Sequence, residues 1–230
     1  MAKTYTVAQG DTLGSIARAQ LGDAGLAAML ADYNGLTDGN RIFVGQRILL
    51  PTARDRQPTA SVAPPAAAWP PPPHGFQAIR DSFGDLLAYV SDDGGISPTW
   101  EAKFMARATL PFPIPLAWDT TKNATAIRCH KLIAPLIEET FRRIAAQGLQ
   151  SAVMTYGGCY AYRPKRNGIK PSTHSWGIAI DLNPNTNAMG TPGDMDPHLV
   201  ALFEGYGFTW GGRWSGGNKD PMHFQYCSGY

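Results

Sequence analysis

The sequence predicts an α+β protein in two domains. Three observations lead there. Helical and strand periodicities follow one another without a regular β-α-β alternation. A proline- and alanine-rich stretch interrupts both patterns between Gln57 and His74. The hydrophobic share of 43% and charged share of 17% are those of an ordinary globular chain, and 230 residues are enough to bury a core. The expected boundaries are residues 1–52 for a small domain, 53–74 for a linker and 75–230 for a larger domain.

In the small domain Thr4 to Val7 alternates like a short strand. Gly10, Asp11 and Thr12 read as a turn and helix start, after which Leu13, Ile16, Ala17 and Leu21 recur at helical spacing. A second helical stretch, Ala24 to Tyr33, runs into Asn34-Gly35, a stop signal. Arg41 to Leu50 contains a Val-Gly-Gln turn and closes on ILLP as a last strand. The order is β-α-α-β, large enough for little more than a surface groove.

The linker QPTASVAPPAAAWPPPPH holds seven prolines and five alanines in 18 residues. Proline removes backbone donors and favours extended polyproline, so a semi-rigid spacer of about 55 Å at ~3.1 Å per residue is expected.

In the larger domain Ala124 to Gln147 reads as the clearest helix, with Ile133, Ile137, Phe141 and Ile144 on one face and Gly148 as its stop; Pro135 marks a first turn or a kink. Ser151 to Tyr156 and Gly177 to Leu182 read as buried strands. Asp196-Pro197 opens a helix carrying Leu199, Leu202, Phe203 and Tyr206, and Met222 to Cys227 is the last strand. The sheet is expected to be small and mainly antiparallel.

A net charge of +2 gives no case for nucleic-acid binding or a polybasic membrane surface. Three widely spaced cysteines, Cys129, Cys159 and Cys227, form no disulfide framework and suit a reducing compartment. Cys159, beside a glycine pair, is the one candidate thiol nucleophile, but nothing nearby reads as its base. The start MAKTYTVAQG has no apolar signal segment and no run approaches a membrane helix, so synthesis in the cytoplasm is expected.

Chemistry concentrates in Ser172–Asp181, STHSWGIAID, and in DPMHF at 220–224. His174 and Asp181 lie seven positions apart, and His223 returns 42 positions later with Asp220 three residues ahead of it. Two histidines and two aspartates suffice for a hydrolytic zinc site, which needs three ligands, an open position for water and a carboxylate that is not a ligand. Alternation puts His223 and Gln225 on one face of the last strand, and Asp181 opposite Ile178, Ile180 and Leu182. An acid in so apolar a strand is costly to bury unless it is paired or bound to metal. Periodicity alone leaves structural, hydrogen-bonded roles for these residues equally open. His74, His130 and His198 are assigned none. Trp210 to Gly217, WGGRWSGG, reads either as a mobile aromatic flap or as a surface loop anchored by Trp210.

Residues 5–51 resemble a LysM domain through YTVAQGDTL at 5–13, Ile16-Ala17, Asn34-Gly35-Leu36 and VGQRILLP at 44–51. The resemblance implies binding of N-acetylglucosamine-containing glycan such as peptidoglycan, through Gly10, Asp11, Thr12 and Leu13 in one loop and Asn40 to Phe43, with Ile42 and Phe43, in the other. The pattern S-x-H-x-x-G-x-A-x-D at 172–181 with D-P-M-H-F at 220–224 resembles peptidase family M15, and most nearly the L-alanyl-D-glutamate endopeptidases of phage endolysins. PFPIPLAWD at 111–119, His130-Lys131 and GGCYAYR at 157–163 extend the likeness. It implies Zn2+ held by His174, Asp181 and His223, with Asp220 as acid/base and Arg163 against the substrate or oxyanion. Related carboxypeptidases generally carry Glu where this chain has Asp220, which favours the endopeptidase branch. The expected activity is hydrolysis of the L-Ala–D-Glu bond of the peptidoglycan stem peptide by a monomer that acts on the cell wall after release or delivery. Three alternatives remain: a D-alanyl-D-alanine carboxypeptidase on the same scaffold, a wall-binding component of a phage-tail or injection machine with a vestigial peptidase domain, and a host-made wall-remodelling enzyme, against which the absence of an apolar signal segment weighs.

Overall fold

A computed structural model describes residues 3–34, 36, 42–52, 69–165 and 170–230. The chain separates into two compact units, Met1–Ala63 and Pro64–Tyr230. No described helix is long and apolar enough to cross a membrane.

In the first unit β1 (Lys3–Thr6) pairs antiparallel with β2 (Arg47–Leu50), from Lys3 opposite Leu50 to Thr6 opposite Arg47. Helix α1 (Leu13–Leu21) starts in a reciprocal cap: the Thr12 hydroxyl accepts from the Ser15 N–H at 3.0 Å, and Ser15 Oγ accepts from the Thr12 N–H at 2.9 Å. It stops at Gly22, whose φ of 88° only glycine adopts cheaply. Leu13, Ile16, Ala17 and Leu21 close over Leu30 and Ala31 of α2 (Ala27–Tyr33) and over Ile48 and Leu50. The Asn34 amide clamps α2 to β2, donating to the Leu30 and Leu49 carbonyls and accepting from the Leu49 N–H.

The first described residue of the second unit is Trp69, which is buried beside Tyr206. Pro73 accepts from the Ser228 N–H, Ser228 accepts from the Gly75 N–H, and the Tyr226 hydroxyl donates to the Pro70 carbonyl at 2.8 Å. The end of the proline stretch, 69–74, is therefore docked on the larger unit, whereas the sequence suggests spacer as far as His74. A buried indole outweighs the local polyproline preference. Gln57 to Ala68 lie outside the described residues.

Helices α3 (Gly75–Phe83) and α4 (Pro98–Phe104) lead into a long hairpin of β3 (Met105–Leu116) and β4 (Asp119–His130). Helix α5 (Ala134–Ala146), β5 (Tyr156–Gly158), β6 (Ala179–Leu182), α6 (Pro197–Gly205), β7 (Thr209–Trp210) and β8 (His223–Gln225) follow. The six strands lie in the order β4-β3-β5-β6-β8-β7, antiparallel except where β3 meets β5. Beneath the sheet α5 contributes Ile137, Phe141 and Ile144, and α6 contributes Leu199 and Phe203, the last stacked on Phe224 at 4.5 Å.

Four elements differ from expectation. Ala124 to His130 is strand, not the start of a helix: it pairs with β3 from Met105–His130 to Thr109–Ala126, and the helix begins only at Ala134, with Pro135 in its first turn. Ser151 to Thr155 is a short 3-10 turn and an extended link, and only Tyr156 to Gly158 joins the sheet. The Asn183 side chain replaces the missing ladder there, accepting from the Met154 and Thr155 N–H groups and donating to the Ala152 carbonyl. Strands β6 and β8 are shorter than read, because Gly177 turns left-handed at φ 67° and because β8 pairs only over 223–225.

Candidate metal centre and active site

The register of β6 and β8 sets Asp181 opposite His223, while Ile180 and Phe224 point into the core. His174 arrives on a one-turn segment, Thr173–Trp176, capped by the Ser172 hydroxyl and closed by Gly177. A Cβ on Gly177 would stand 2.8 Å from the His130 nitrogen, and the His130 N–H donates to the Gly177 carbonyl at 3.0 Å. Only glycine lets the end of β4 press this turn into place. The Ser175 hydroxyl adds a second brace, donating to the Arg163 carbonyl and accepting from the Arg163 N–H.

His174 Nε2 lies 3.3 Å from Asp181 Oδ1 and 3.2 Å from His223 Nδ1, and His223 Nδ1 lies 3.0 Å from Asp181 Oδ1. The outer ring nitrogens fix the tautomers. His174 Nδ1 is 2.7 Å from the Cys159 carbonyl, which can only accept, so the proton sits there and the Nε2 lone pair faces inward. His223 Nε2 is 3.2 Å from Gln225 Oε1, whose amide nitrogen is committed to the Cys227 carbonyl, so the Nδ1 lone pair faces inward too. Thr173 Oγ1 steadies the same glutamine oxygen. Two lone pairs and a carboxylate thus converge with no proton between them except one taken from solvent. Such a set calls for a cation, and among the described residues it is the group whose ligand atoms all lie within 4.8 Å of one another. Two imidazole nitrogens and one carboxylate oxygen, oriented by outer-sphere acceptors, form a donor set that suits a hydrolytic divalent metal.

The electrostatics agree. Burial opposes ionisation of Asp181, but the charge and hydrogen bonds of His174 and His223 outweigh it and hold the carboxyl far below the usual range. Burial likewise opposes charge on His223, yet Asp181, by hydrogen bond and by charge, and then Asp220 raise its pKa.

Asp220 is half-buried, acts on His223 by charge, and is not one of the three clustered ligands. Its backbone is fixed at both sides: its N–H donates to the Gly211 carbonyl at 3.0 Å, and its carbonyl accepts from the His223 N–H at 3.1 Å. Arg163 is tied to the His174 turn through its backbone, while its side chain is exposed and has no ion pair among the described residues. The Cys159 thiol is buried and pushed well above its ordinary pKa, and Cys129 and Cys227 are pushed to about 12 by the same burial, which leaves no thiolate nucleophile. In the 210–217 loop Trp210 is anchored, stacked on Phe224 and donating from Nε1 to the Pro221 carbonyl at 2.7 Å. Trp214 instead stands 5.6 Å from the His223 ring. Gln225 and Thr173 are neighbours of the site that sequence reasoning left without a role, and Trp214 it placed only in a loop read as flap or surface; alternation placed Gln225 beside His223 but could not show its amide turned toward the ring.

Comparison with known families agrees with this geometry. Residues 166–226, which carry His174, Asp181, Asp220 and His223, match an M15 peptidase model described as D-alanyl-D-alanine carboxypeptidase, and residues 5–51 match the LysM domain. The chain joins a LysM domain to an M15 peptidase segment. No curated protein and no solved structure gave a match. Together the two family matches support a peptidoglycan peptidase.

In the LysM domain Val7, just before the first expected glycan loop, donates to the Gln46 carbonyl and accepts from the Gly45 N–H, just after the second. Gly10 and Phe43 are exposed and Ile42 half-buried, while Asn40 and Arg41 lie outside the described residues. Asp11 and Thr12 are committed to the loop itself: Asp11 accepts from the Tyr5 hydroxyl and the Ala8 N–H, and Thr12 caps α1. The Leu13 side chain is in the core, so its part in a glycan groove is limited to its backbone.

Proposed function

We propose that the protein is a zinc peptidase that hydrolyses the L-Ala–D-Glu bond of the peptidoglycan stem peptide, with the LysM domain holding it on glycan. The observation that carries this reading is the inward convergence of His174, Asp181 and His223 beside an aspartate that is not one of them. His174, Asp181 and His223 would hold the zinc, which when bound polarises a carbonyl and lowers the pKa of water to about 7. Asp220 takes the proton of the attacking water and returns it to the leaving amine. Arg163, on the strand-like segment braced by Ser175, faces the negative charge that develops on the carbonyl oxygen. Cys159 and Gln225 keep the two imidazoles in the tautomers that ligation requires. A tether to glycan raises the local concentration of stem peptides around the site.

The matched family description favours a second reading, removal of the terminal D-Ala. Asp220, one methylene shorter than the glutamate of related carboxypeptidases, favours the endopeptidase. Mass spectrometry of muropeptides released from sacculi separates the two. New N-terminal D-Glu with the wild type, and none with Asp220→Ala, is the expected result. Loss of D-Ala instead establishes the carboxypeptidase, and release of neither product refutes both.

A further inference from the structure

Trp214 stands apart from Trp210, the other aromatic residue of its loop. Its ring centroid is 5.6 Å from that of His223 at an interplanar angle of 48°, and the side chain is half-buried. Its indole N–H donates to no described residue, whereas Trp210 four residues earlier is spent on the Pro221 carbonyl. The backbone beneath it is fixed. The Trp214 N–H and the Asp220 N–H both donate to one carbonyl, that of Gly211, at 3.1 and 3.0 Å. A Cβ on Gly211 would stand 2.5 Å from the Asp220 carbonyl and 3.2 Å from the Trp214 ring, so the loop tolerates only glycine there. One carbonyl therefore sets the spacing between the indole and Asp220, and the Asp220 carbonyl in turn holds the His223 N–H. The bidentate pair of Arg213 with Glu204, at 2.5 and 2.7 Å, pins the residue next to the indole to α6. Beyond it Ser215 to Asn218 are exposed, and Trp214 itself is part-exposed.

An apolar plate with an uncommitted donor, held at fixed spacing from an acid and a ligating imidazole, suits an amide chain with short aliphatic side chains. The plate covers methyl groups and the N–H meets a carbonyl. A sugar would need several polar partners around the rim, whereas the ring contact the structure gives Trp214 is with the His223 imidazole. We infer that Trp214 is a substrate-positioning residue, which packs against the stem peptide next to the scissile bond and donates its indole N–H to a peptide carbonyl. This rests on the peptidase reading above.

The test uses the full chain, a soluble stem-peptide muropeptide, and Trp214→Ala and Trp214→Phe variants. Co(II) is added as a quenching probe at the His174–Asp181–His223 site. The muropeptide KM is expected to rise about tenfold in Trp214→Ala, with a smaller change in kcat, and Trp214→Phe is expected to recover the packing share only. Co(II) should bind all three proteins equally, and part of the emission it quenches in the wild type should be missing from Trp214→Phe. Unchanged kinetics in Trp214→Ala overturn the inference. So does weakened Co(II) binding in that variant, since Trp214 would then merely support His223. If the wild type cuts nothing, the peptidase reading fails separately. Muropeptide binding, read as an emission change that Trp214→Phe lacks, still decides the inference; absence of that change in the wild type sinks it.

Discussion

Asp11 in the LysM domain and Asp181 in the peptidase unit are both carboxylates set among neighbouring side chains, and they differ in what they face. Asp11 receives two donors, the Tyr5 hydroxyl at 2.8 Å and the Ala8 N–H at 2.7 Å, and so closes a turn. Asp181 receives two imidazole nitrogens whose rings have already given their protons outward, to Cys159 and Gln225. One carboxylate is satisfied by the chain; the other belongs to a group of acceptors that a positive ion completes. Both carboxylates are half-buried, and each has two nitrogen or oxygen partners. The direction of the protons tells structure from function.

The largest expected effect breaks this contrast from one side. Asp181→Asn removes the charge that gathers the site, and metal affinity, followed by dialysis against a chelator, should fall by more than the roughly 100-fold lost on changing an outer-sphere partner. Asp11→Asn should leave metal affinity unchanged. Equal metal binding in both variants would end the distinction. His130 gives the next effect. Burial lowers its pKa from 6.5 to about 4, with the Phe83 carbonyl opposing and Lys131 assisting. The unfolded chain therefore binds this proton first, so stability is full above pH 6.5 and is lost as pH falls from there toward 4, by about 3 kcal/mol in all. Urea unfolding at pH 7 and pH 5 should show wild type losing more than His130→Gln. A parallel slope in the two would place the titration elsewhere.

Gln225→Leu sharpens the tautomer argument. It removes the acceptor for His223 Nε2, and metal affinity should drop by about 10- to 100-fold while the fold stays intact by circular dichroism. Thr12→Ala is the smallest expected change: loss of one cap, about 1 kcal/mol in the melting of the LysM domain, with hydrolysis of a soluble muropeptide unaltered.

Much of both units was legible because the signals are local. The Thr12 cap, the Asp196-Pro197 start of α6 and the apolar faces of both LysM helices need only their own neighbours. His174, Asp181 and His223 could be proposed together, but their meeting depends on the Asp181–His223 register, a pairing across 42 residues. The hairpin was harder. No secondary-structure reading covers residues 105–123, and Pro111, Pro113 and Pro115 fit in their strand because its ladder to β4 shifts register between Thr109 and Ile114. Ser151 to Thr155 misled in the opposite sense, since its apolar look hides backbone groups that Asn183 satisfies. The inward aim of the Gln225 amide and the open indole of Trp214 depend on loops that no period describes.

The docked end of the proline stretch has a mechanical consequence. If the LysM domain is held on glycan, any tension reaches the peptidase unit at Trp69. That load falls first on an indole wedged beside Tyr206, then on the bonds linking Pro70 to Tyr226 and Pro73 to Ser228. Tyr226 is three residues from His223, on the chain that leaves β8. Trp69 thus stands ahead of those bonds in the order in which a pull would meet the chain that leaves β8 and carries His223.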